Sequence, residues 1–265
     1  MLTFVGLGLY DERSITVEGR EAVRAADRVF AELYTSRLAG ATVTDVASFH
    51  DVDVEVRDRD GVEVDPSPVL DAAESEDVVF LTGGDPMVST THVDLRLRAH
   101  ERAIPTRIVH GTSASTAAAS LTGLQNYRFG KATTLPFPRS GSDVEVPASV
   151  LATIRDNRER GLHTLVYLDI EAEREAFMSG DVAAGLLADP LDDALCVVVA
   201  RAGSRDPVVA ADRPSVLASR DFGDPLHLLV VPGDLHHLEA EALRAFAGAP
   251  AALLPDDERS PSGSH

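Results

Sequence analysis

VVFLTGGDP, residues 78–86, is the stretch that decides the fold class of this chain. Its apolar first half predicts a buried strand, and Gly-Gly-Asp-Pro predicts a sharp turn where that strand ends. Glycine lets a ligand approach the main chain because no Cβ stands in the way, and Pro86 fixes the chain direction. Ligands of open α/β sheets bind beyond the carboxyl ends of strands, so a small-molecule site is expected here. The alternative is a strand-to-helix turn that binds nothing.

The same strand pattern recurs on both sides of this stretch. Apolar runs lie at residues 2–9, 106–110, 164–168, 195–200 and 226–231. Helical stretches separate most of them, so each half of the chain alternates strands and helices. This alternation predicts an α/β fold made of two α/β domains.

The predicted boundaries follow the change of pattern near residue 112. We expect an N-terminal α/β domain over residues 1–112 and a C-terminal α/β domain over residues 113–255. Residues 256–265 are polar and predict a disordered tail.

Four segments carry more detailed predictions. Residues 15–30 have apolar positions at helical spacing, with Ser14 or Thr16 as the cap. Residues 51–65 alternate acids and valines, which indicates an exposed strand or a loose acidic connection. Residues 171–188 are predicted to be helical. The small, hydroxyl-rich run at residues 111–119 predicts a helix start that a ligand can approach closely, or an ordinary capped helix packed on the sheet.

The charge balance is strongly acidic. The chain has 43 Asp and Glu against 24 Lys and Arg, a net charge of −19, and Lys131 is its only lysine. Adaptation to a salt-rich cytoplasm is the favoured explanation, because salt screens the repulsion between like charges. An acidic face for a basic partner is the alternative. Nucleic-acid binding is disfavoured, since it needs a basic patch.

The single cysteine and the lack of long apolar runs indicate the cellular compartment of the protein. Cys196 lies in an apolar run and is expected to be a buried, inert thiol of a core strand. One cysteine cannot form an intrachain disulfide, which favours a reducing compartment. No apolar run approaches the ~18 residues of a membrane span, so we expect a cytoplasmic protein that does not contact membranes.

The sequence contains no convincing catalytic or metal-binding constellation. Gly6 and Gly8 do not begin a dinucleotide fingerprint, because the third glycine would fall at Asp11. No Ser/His/Asp or Cys/His arrangement stands out, and the histidine spacings give no local zinc motif. We therefore predict no metal and no catalytic side chain.

Several blocks together resemble one family of enzymes. Residues 5–9 with Asp11, and residues 84–86 with 90–92, resemble the tetrapyrrole-methylase-like superfamily of S-adenosylmethionine enzymes. The closer resemblance is to the diphthine synthase family, over about residues 1–253. The blocks that narrow it are residues 32–36, 90–95, 161–170, 200–204 and 221–227.

The resemblance implies a fold, a reaction and partners. The fold is two α/β domains of the tetrapyrrole methylase type with the cofactor cleft between them. The enzyme would use S-adenosyl-L-methionine, releasing S-adenosyl-L-homocysteine, to methylate an amine on translation elongation factor 2. That amine belongs to the 3-amino-3-carboxypropyl group of a modified histidine, and three N-methylations give diphthine. The family also implies a homodimer.

The family's cofactor contacts match eight positions of this chain. They are Leu9, Asp85, Val88, Ser113, Ala114, Leu168, Ala202 and His227. Asp85 has the alternative role of capping the following helix, and His227 that of a hydrogen-bonded core residue. The apolar members would shape the pocket while main-chain groups bind the polar ends of the cofactor.

Two other functions remain as alternatives. A corrin-ring or ribosomal-RNA methyltransferase of the same fold is disfavoured by the blocks around His163 and His227 and by the lack of a basic face. A non-enzymatic module that binds a nucleotide or elongation factor 2 is disfavoured by the matched cofactor positions.

Overall fold

The computed structural model of the chain describes residues 1–138, 146–171, 174–191 and 193–255. The tail predicted over 256–265 lies outside these residues. The chain divides into two compact units. Unit 1 comprises Met1–Ala117, Ile170–Phe177 and Arg201–Pro207, and unit 2 comprises Ala118–Asp169, Met178–Ala200 and the chain from Val208 onward.

Unit 1 is built on a five-stranded parallel sheet. Its strands are β1 (Leu2–Gly6), β2 (Arg28–Glu32), β3 (Val54–Arg57), β4 (Val78–Thr82) and β5 (Thr106–Val109), in the order β3-β2-β4-β1-β5. The strand predicted before the Gly-Gly-Asp-Pro turn is thus β4, the central strand of the sheet. The predicted α/β class is confirmed.

Helices cover both faces of this sheet, as a parallel sheet requires. They are α1 (Val17–Ala25), α2 (Val43–His50), α3 (Ser67–Ser75) and α4 (His92–Glu101). Alternate strand residues supply the two cores: Phe4 and Phe80 pack with α3 and α4, whereas Val5 and Val79 pack with α1 and α2.

The prediction of one helix over residues 15–30 is wrong. Helix α1 begins after Thr16, whose hydroxyl accepts a hydrogen bond from the Gly19 N–H, and it ends at Ala25. Val29 and Phe30 belong to β2, where they face opposite cores. Because both faces of β2 are buried, its apolar residues are adjacent and continue the helical spacing by coincidence.

The acidic segment contains an edge strand. Residues 54–57 form β3, which pairs only with β2 among the described strands and leaves Glu55 and Val56 exposed. The prediction of an exposed strand is confirmed there. A single π-helical turn follows over Asp60–Val64.

Unit 2 is built on a second five-stranded sheet. Its strands are β6 (Thr133–Leu135), β7 (Thr164–Leu168), β10 (Cys196–Ala200), β11 (Val208–Asp212) and β12 (His227–Val231), in the order β11-β10-β12-β7-β6. Only β6 and β7 are parallel within this sheet. The helices of the described part are α6 (Ala148–Glu159), α7 (Gly180–Ala188), α8 (Pro214–Leu217) and α9 (His237–Ala247), and α5 (Ala114–Thr122) spans the end of unit 1 and the start of unit 2.

The helix predicted over residues 171–188 begins only at Gly180. A short hairpin precedes it, in which β8 (Ile170–Glu171) pairs with β9 (Ala176–Phe177). Strand β11 was not predicted, because its sequence VVAAD is short and weakly apolar.

Two further predictions concern the burial of Cys196 and the length of the apolar helices. Cys196 is fully buried in β10, as predicted, and burial raises the pKa of its thiol to about 12. None of the helices in the described ranges has the length and apolarity needed to cross a bilayer.

Candidate functional site

Three strand ends of unit 1 meet at glycines. A Cβ added to Gly6, at the end of β1, would lie 2.4 Å from the Gly84 carbonyl oxygen and 2.7 Å from the Gly111 nitrogen. A Cβ on Gly111 would lie 2.2 Å from the same Gly84 oxygen. The main chains after β1, β4 and β5 therefore touch directly, which only glycine permits.

The Gly-Gly-Asp-Pro turn is joined to the first turn by backbone hydrogen bonds. The Gly84 N–H donates to the Gly8 carbonyl at 2.7 Å, and the Gly8 N–H donates to the Gly84 carbonyl at 3.2 Å. Gly84 has φ of +71°, and the nearest atom to an added Cβ there is 3.9 Å away. Gly84 is itself buried and an added Cβ would make an ordinary contact there, so the backbone conformation rather than crowding favours glycine at this position.

The Asp85 carboxylate ties this turn to the end of β5. Its Oδ1 accepts a hydrogen bond from the Met87 N–H at 2.9 Å. Its Oδ2 accepts one from the Gly111 N–H at 3.3 Å and lies 2.8 Å from His110 Nδ1. Helix α4 starts only at His92, so Asp85 does not cap it. The buried carboxylate instead links two loops of the site.

A buried contact between Glu32 and His92 lies behind the turn. The Glu32 carboxylate ends β2 and accepts hydrogen bonds from the Tyr34 and Thr35 N–H groups and from the Thr35 and Thr82 hydroxyls. His92 Nε2 lies 3.3 Å from Glu32 Oε1, and His92 Nδ1 lies 3.0 Å from the Pro86 carbonyl oxygen. His92 therefore connects Glu32 to the turn.

The hydrogen bonds decide the charge of Glu32. Burial raises the pKa of its carboxyl, but the contacts with His92, Thr35 and Thr82 lower it more, so the pKa lies below its ordinary value. Glu32 is thus ionised at neutral pH, and it fixes the ends of β2 and β4 in one arrangement.

Six of the eight predicted cofactor residues lie in unit 1. Leu9 is half-buried and packs beside the loop of Ala202, since a Cβ on Gly203 would be 3.0 Å from the Leu9 Cβ. Val88 is exposed two residues after Pro86. Ser113 is buried, and its hydroxyl accepts a hydrogen bond from the Thr116 N–H, so it caps the helix that Ala114 begins.

The other two predicted residues lie in unit 2. Leu168 ends β7 and is buried in the core of that unit. His227 begins β12, opposite Ala200 of β10. Its Nδ1 accepts a hydrogen bond from the Gly180 N–H at 2.9 Å, and its Nε2 lies 3.0 Å from the Asp224 carbonyl oxygen. The side chain of His227 is thus a hydrogen-bonded core histidine.

Unit 2 also contains a separate polar cavity of about 560 Å³ beside Arg155, Arg158 and Asp234. None of the predicted residues lines it. Among the described residues, no three His, Cys, Asp or Glu side chains converge as metal ligands.

Sequence reasoning missed the roles of His110, Glu32 and His92. The sequence left His92 and His110 as residues that could serve structure or substrate, and Glu32 fell inside a block that marked the family without a role of its own. A polar residue directly after a strand, as at His110, is the one local signal that it lies at the ligand edge of the sheet.

The residues of unit 1 fit a small polar cofactor. A glycine turn lets a ligand approach the main chain closely, and the fixed Asp85 carboxylate beside it offers an acceptor for hydroxyl or ammonium groups. The direct contact of the main chains at Gly6, Gly84 and Gly111 is the observation that supports this fit.

The chain is similar to known proteins over most of its length. Residues 1–213 match the model of the Tetrapyrrole (Corrin/Porphyrin) Methylases family. The chain is 66% identical to the diphthine synthase of Halorubrum lacusprofundi, with 97% of this chain and 100% of the relative covered. It is also 66% identical to that of Natronomonas pharaonis, with coverage of 97% and 99%. A crystal structure of a diphthine synthase shares 42% identity and a TM-score of 0.87, covering 95% of this chain and 98% of that one.

Proposed function

We propose that the methyl acceptor of this enzyme is the amine of a 3-amino-3-carboxypropyl-histidine on translation elongation factor 2. The chain belongs to the tetrapyrrole methylase family and, within it, to the diphthine synthases. The chain is an S-adenosylmethionine-dependent methyltransferase of diphthamide biosynthesis. Three successive N-methylations would give diphthine. A translation factor as substrate places the reaction in the cytoplasm.

The observation that carries the proposal is the direct contact of the main chains at Gly6, Gly84 and Gly111, next to the fixed carboxylate of Asp85. When bound, S-adenosyl-L-methionine supplies an activated methyl group on a sulfonium sulfur and leaves as S-adenosyl-L-homocysteine. The eight residues carried over from the family are the proposed contacts: Leu9, Asp85, Val88, Ser113, Ala114, Leu168, Ala202 and His227. Their assignment as contacts is part of the proposal.

The protein's contribution is mainly alignment. The glycines let main-chain groups hold the donor closely, and Leu9 and Ala114 would shape the surface around it. Well-oriented reactants react with large effective molarities, so positioning alone supplies much of the acceleration. His227 would contribute through its fixed position in β12 rather than as a proton carrier, because both ring nitrogens are engaged within unit 2.

A methyl-transfer assay tests the acceptor. Elongation factor 2 carrying the 3-amino-3-carboxypropyl group is incubated with the protein and methyl-labelled S-adenosylmethionine, and the modified peptide is weighed by mass spectrometry. We expect a gain of three methyl groups on that peptide and none on the unmodified factor. Label on a corrin ring or on ribosomal RNA, with none on the factor, would contradict the proposal.

We further propose a homodimer, as the family resemblance implies. Light scattering on the purified chain should give twice the monomer mass. A monomer mass across a concentration series would refute this part without affecting the assigned reaction.

A further inference from the structure

At the edge of the unit 1 sheet, the exposed side chain of His110 pairs with the buried side chain of Asp85. His110 directly follows β5, and 75% of its side chain is exposed, whereas the Asp85 side chain is 6% exposed. The 2.8 Å contact joins His110 Nδ1 to Asp85 Oδ2. Asp85 is the charged partner that the described part of the chain places beside this ring.

The hydrogen bonds determine where the proton of His110 lies. Asp85 accepts hydrogen bonds from the Met87 and Gly111 N–H groups, so it is a carboxylate that accepts rather than donates. The His110 proton is therefore on Nδ1. In the neutral ring this leaves Nε2 with a free electron pair, on a side chain that is mostly open to solvent. A carboxylate that orients an imidazole in this way is the arrangement of a general base.

A base at the site would accelerate the proposed reaction near neutral pH. The acceptor amine is an ammonium group near neutral pH, and it has no electron pair for attack until it loses a proton. Each transfer replaces one N–H bond by one N–CH₃ bond, and the electrons of the broken C–S bond stay on the sulfur of the donor. Conversion of –NH₃⁺ to –N(CH₃)₃⁺ thus releases three protons for three methyl groups.

We propose that His110 is the general base of this methyltransferase and that Asp85 is its positioning residue. This inference rests on the proposed function. The substrate ammonium gives a proton to His110 Nε2, and the resulting amine pair forms the new N–C bond. The imidazolium then loses its proton to solvent before the next transfer. Asp85 holds the ring through Nδ1 and stabilises the imidazolium.

The competing explanation is that His110 only braces the loop that carries Asp85. The substitution His110→Asn distinguishes a general base from a residue that only braces the loop. Its amide nitrogen stands where Nδ1 stood and can still donate to Asp85, but asparagine cannot accept a proton. His100→Asn is the matched control, because His100 is an exposed histidine of the same unit, on α4.

The rate of the first methyl transfer is measured in single turnover between about pH 6 and 10, spanning the ordinary histidine and amine pKa values. At pH 7 we expect His110→Asn to be slower by about 100-fold or more, the usual contribution of a general base. The deficit should shrink as the pH approaches the pKa of the free amine, and calorimetry should show unchanged donor binding. His100→Asn should match the wild-type protein.

A wild-type rate and pH profile for His110→Asn would overturn the base assignment and leave the proposed function standing. Loss of donor binding in that variant would also overturn it, since His110 would then be a donor contact. No transfer to elongation factor 2 by the wild-type protein would defeat the proposed function itself.

If His110→Asn does not fold, NMR of the wild-type protein still tests the pairing of His110 with Asp85, because it requires no turnover. In ¹⁵N-histidine-labelled wild-type protein, the neutral form of the His110 ring should carry its proton on Nδ1 and leave Nε2 unprotonated. A ring with its proton on Nε2 would rule out the proposed orientation by Asp85.

Discussion

At the scale of single residues, Gly6 leaves no space for a side chain. The Gly84 carbonyl oxygen and the Gly111 nitrogen that an added Cβ would meet both belong to the backbone, so neither can turn away like a side chain. We expect Gly6→Ala to destabilise the fold by about 1–3 kcal/mol and to abolish donor binding, because the strand ends must separate. Urea unfolding and calorimetry measure the two effects.

Gly185→Ala is the matched control for Gly6→Ala. Gly185 lies in α7, and its added Cβ would meet only the Ala218 Cβ at 3.7 Å, an ordinary contact. We expect Gly185→Ala to be neutral or stabilising by up to about 1 kcal/mol, since alanine favours helices. Equal losses in both variants would show that the crowding at Gly6 is not the cause.

Ala114 tests the proposed donor site in a different way. It is half-buried at the start of α5, where a small side chain leaves space for a ligand. We expect Ala114→Trp to abolish donor binding in calorimetry while the circular dichroism and the unfolding midpoint stay near those of the wild type. Ala245→Trp, on the exposed side of α9, should bind the donor normally. Full binding by Ala114→Trp would remove this residue from the site.

At the scale of secondary-structure elements, Glu32 couples strand β2 to strand β4 and to helix α4. Its folded-state pKa is depressed, so its stabilising effect is present above the ordinary value of 4.5 and is lost as the pH falls through the folded value. We expect the free energy of unfolding to decrease as the pH is lowered from 4.5. Urea unfolding at several pH values follows this decrease.

Glu32→Gln should weaken that dependence and lower stability by about 1–3 kcal/mol at neutral pH, because the amide cannot satisfy all of the donors around it. Glu101→Gln, at the exposed end of α4, should keep the wild-type pH dependence. The same acid sensitivity in Glu32→Gln as in wild type would place its origin in another carboxyl group.

The secondary-structure elements show which parts of the fold can be predicted from the sequence. Strand β4 with its turn was predictable, because a uniformly apolar run can only be buried and Gly-Gly-Asp-Pro can only turn. The β2 strand was mistaken for helix, since adjacent Val29 and Phe30 face different cores and leave no alternation to read. The pairing of Asp85 with His110 was not predictable, because it depends on β1 lying between β4 and β5 in the sheet. The family resemblance supplied the eight cofactor positions, and local patterns alone supplied only Asp85 as a strong candidate.

At the scale of the whole molecule, the charge of −19 opposes compactness. Some acidic side chains form ion pairs with nearby arginines: Glu55 pairs with Arg28, and Asp71 pairs with Arg102. Exposed pairs of this kind contribute little to stability, and the unpaired acids repel one another at a range that salt controls. The Debye length falls from about 10 Å at 0.1 M to about 3 Å at 1 M salt. The chain should therefore be more stable in concentrated salt.

We expect the midpoint of thermal unfolding to rise as KCl is increased from about 0.1 M to 1 M, because that increase screens the net repulsion. Glu21, Glu101 and Glu241 are exposed and lie outside the ion pairs that the described residues form. Replacing all three by Gln should raise the midpoint at low salt by about 2–4 °C, which corresponds to about 1 kcal/mol. At 1 M KCl the difference from wild type should vanish, since the repulsion it relieves is already screened. Scanning calorimetry of both proteins at the two salt concentrations measures this, and an equal difference at both would mean that repulsion between surface acids is not what salt relieves.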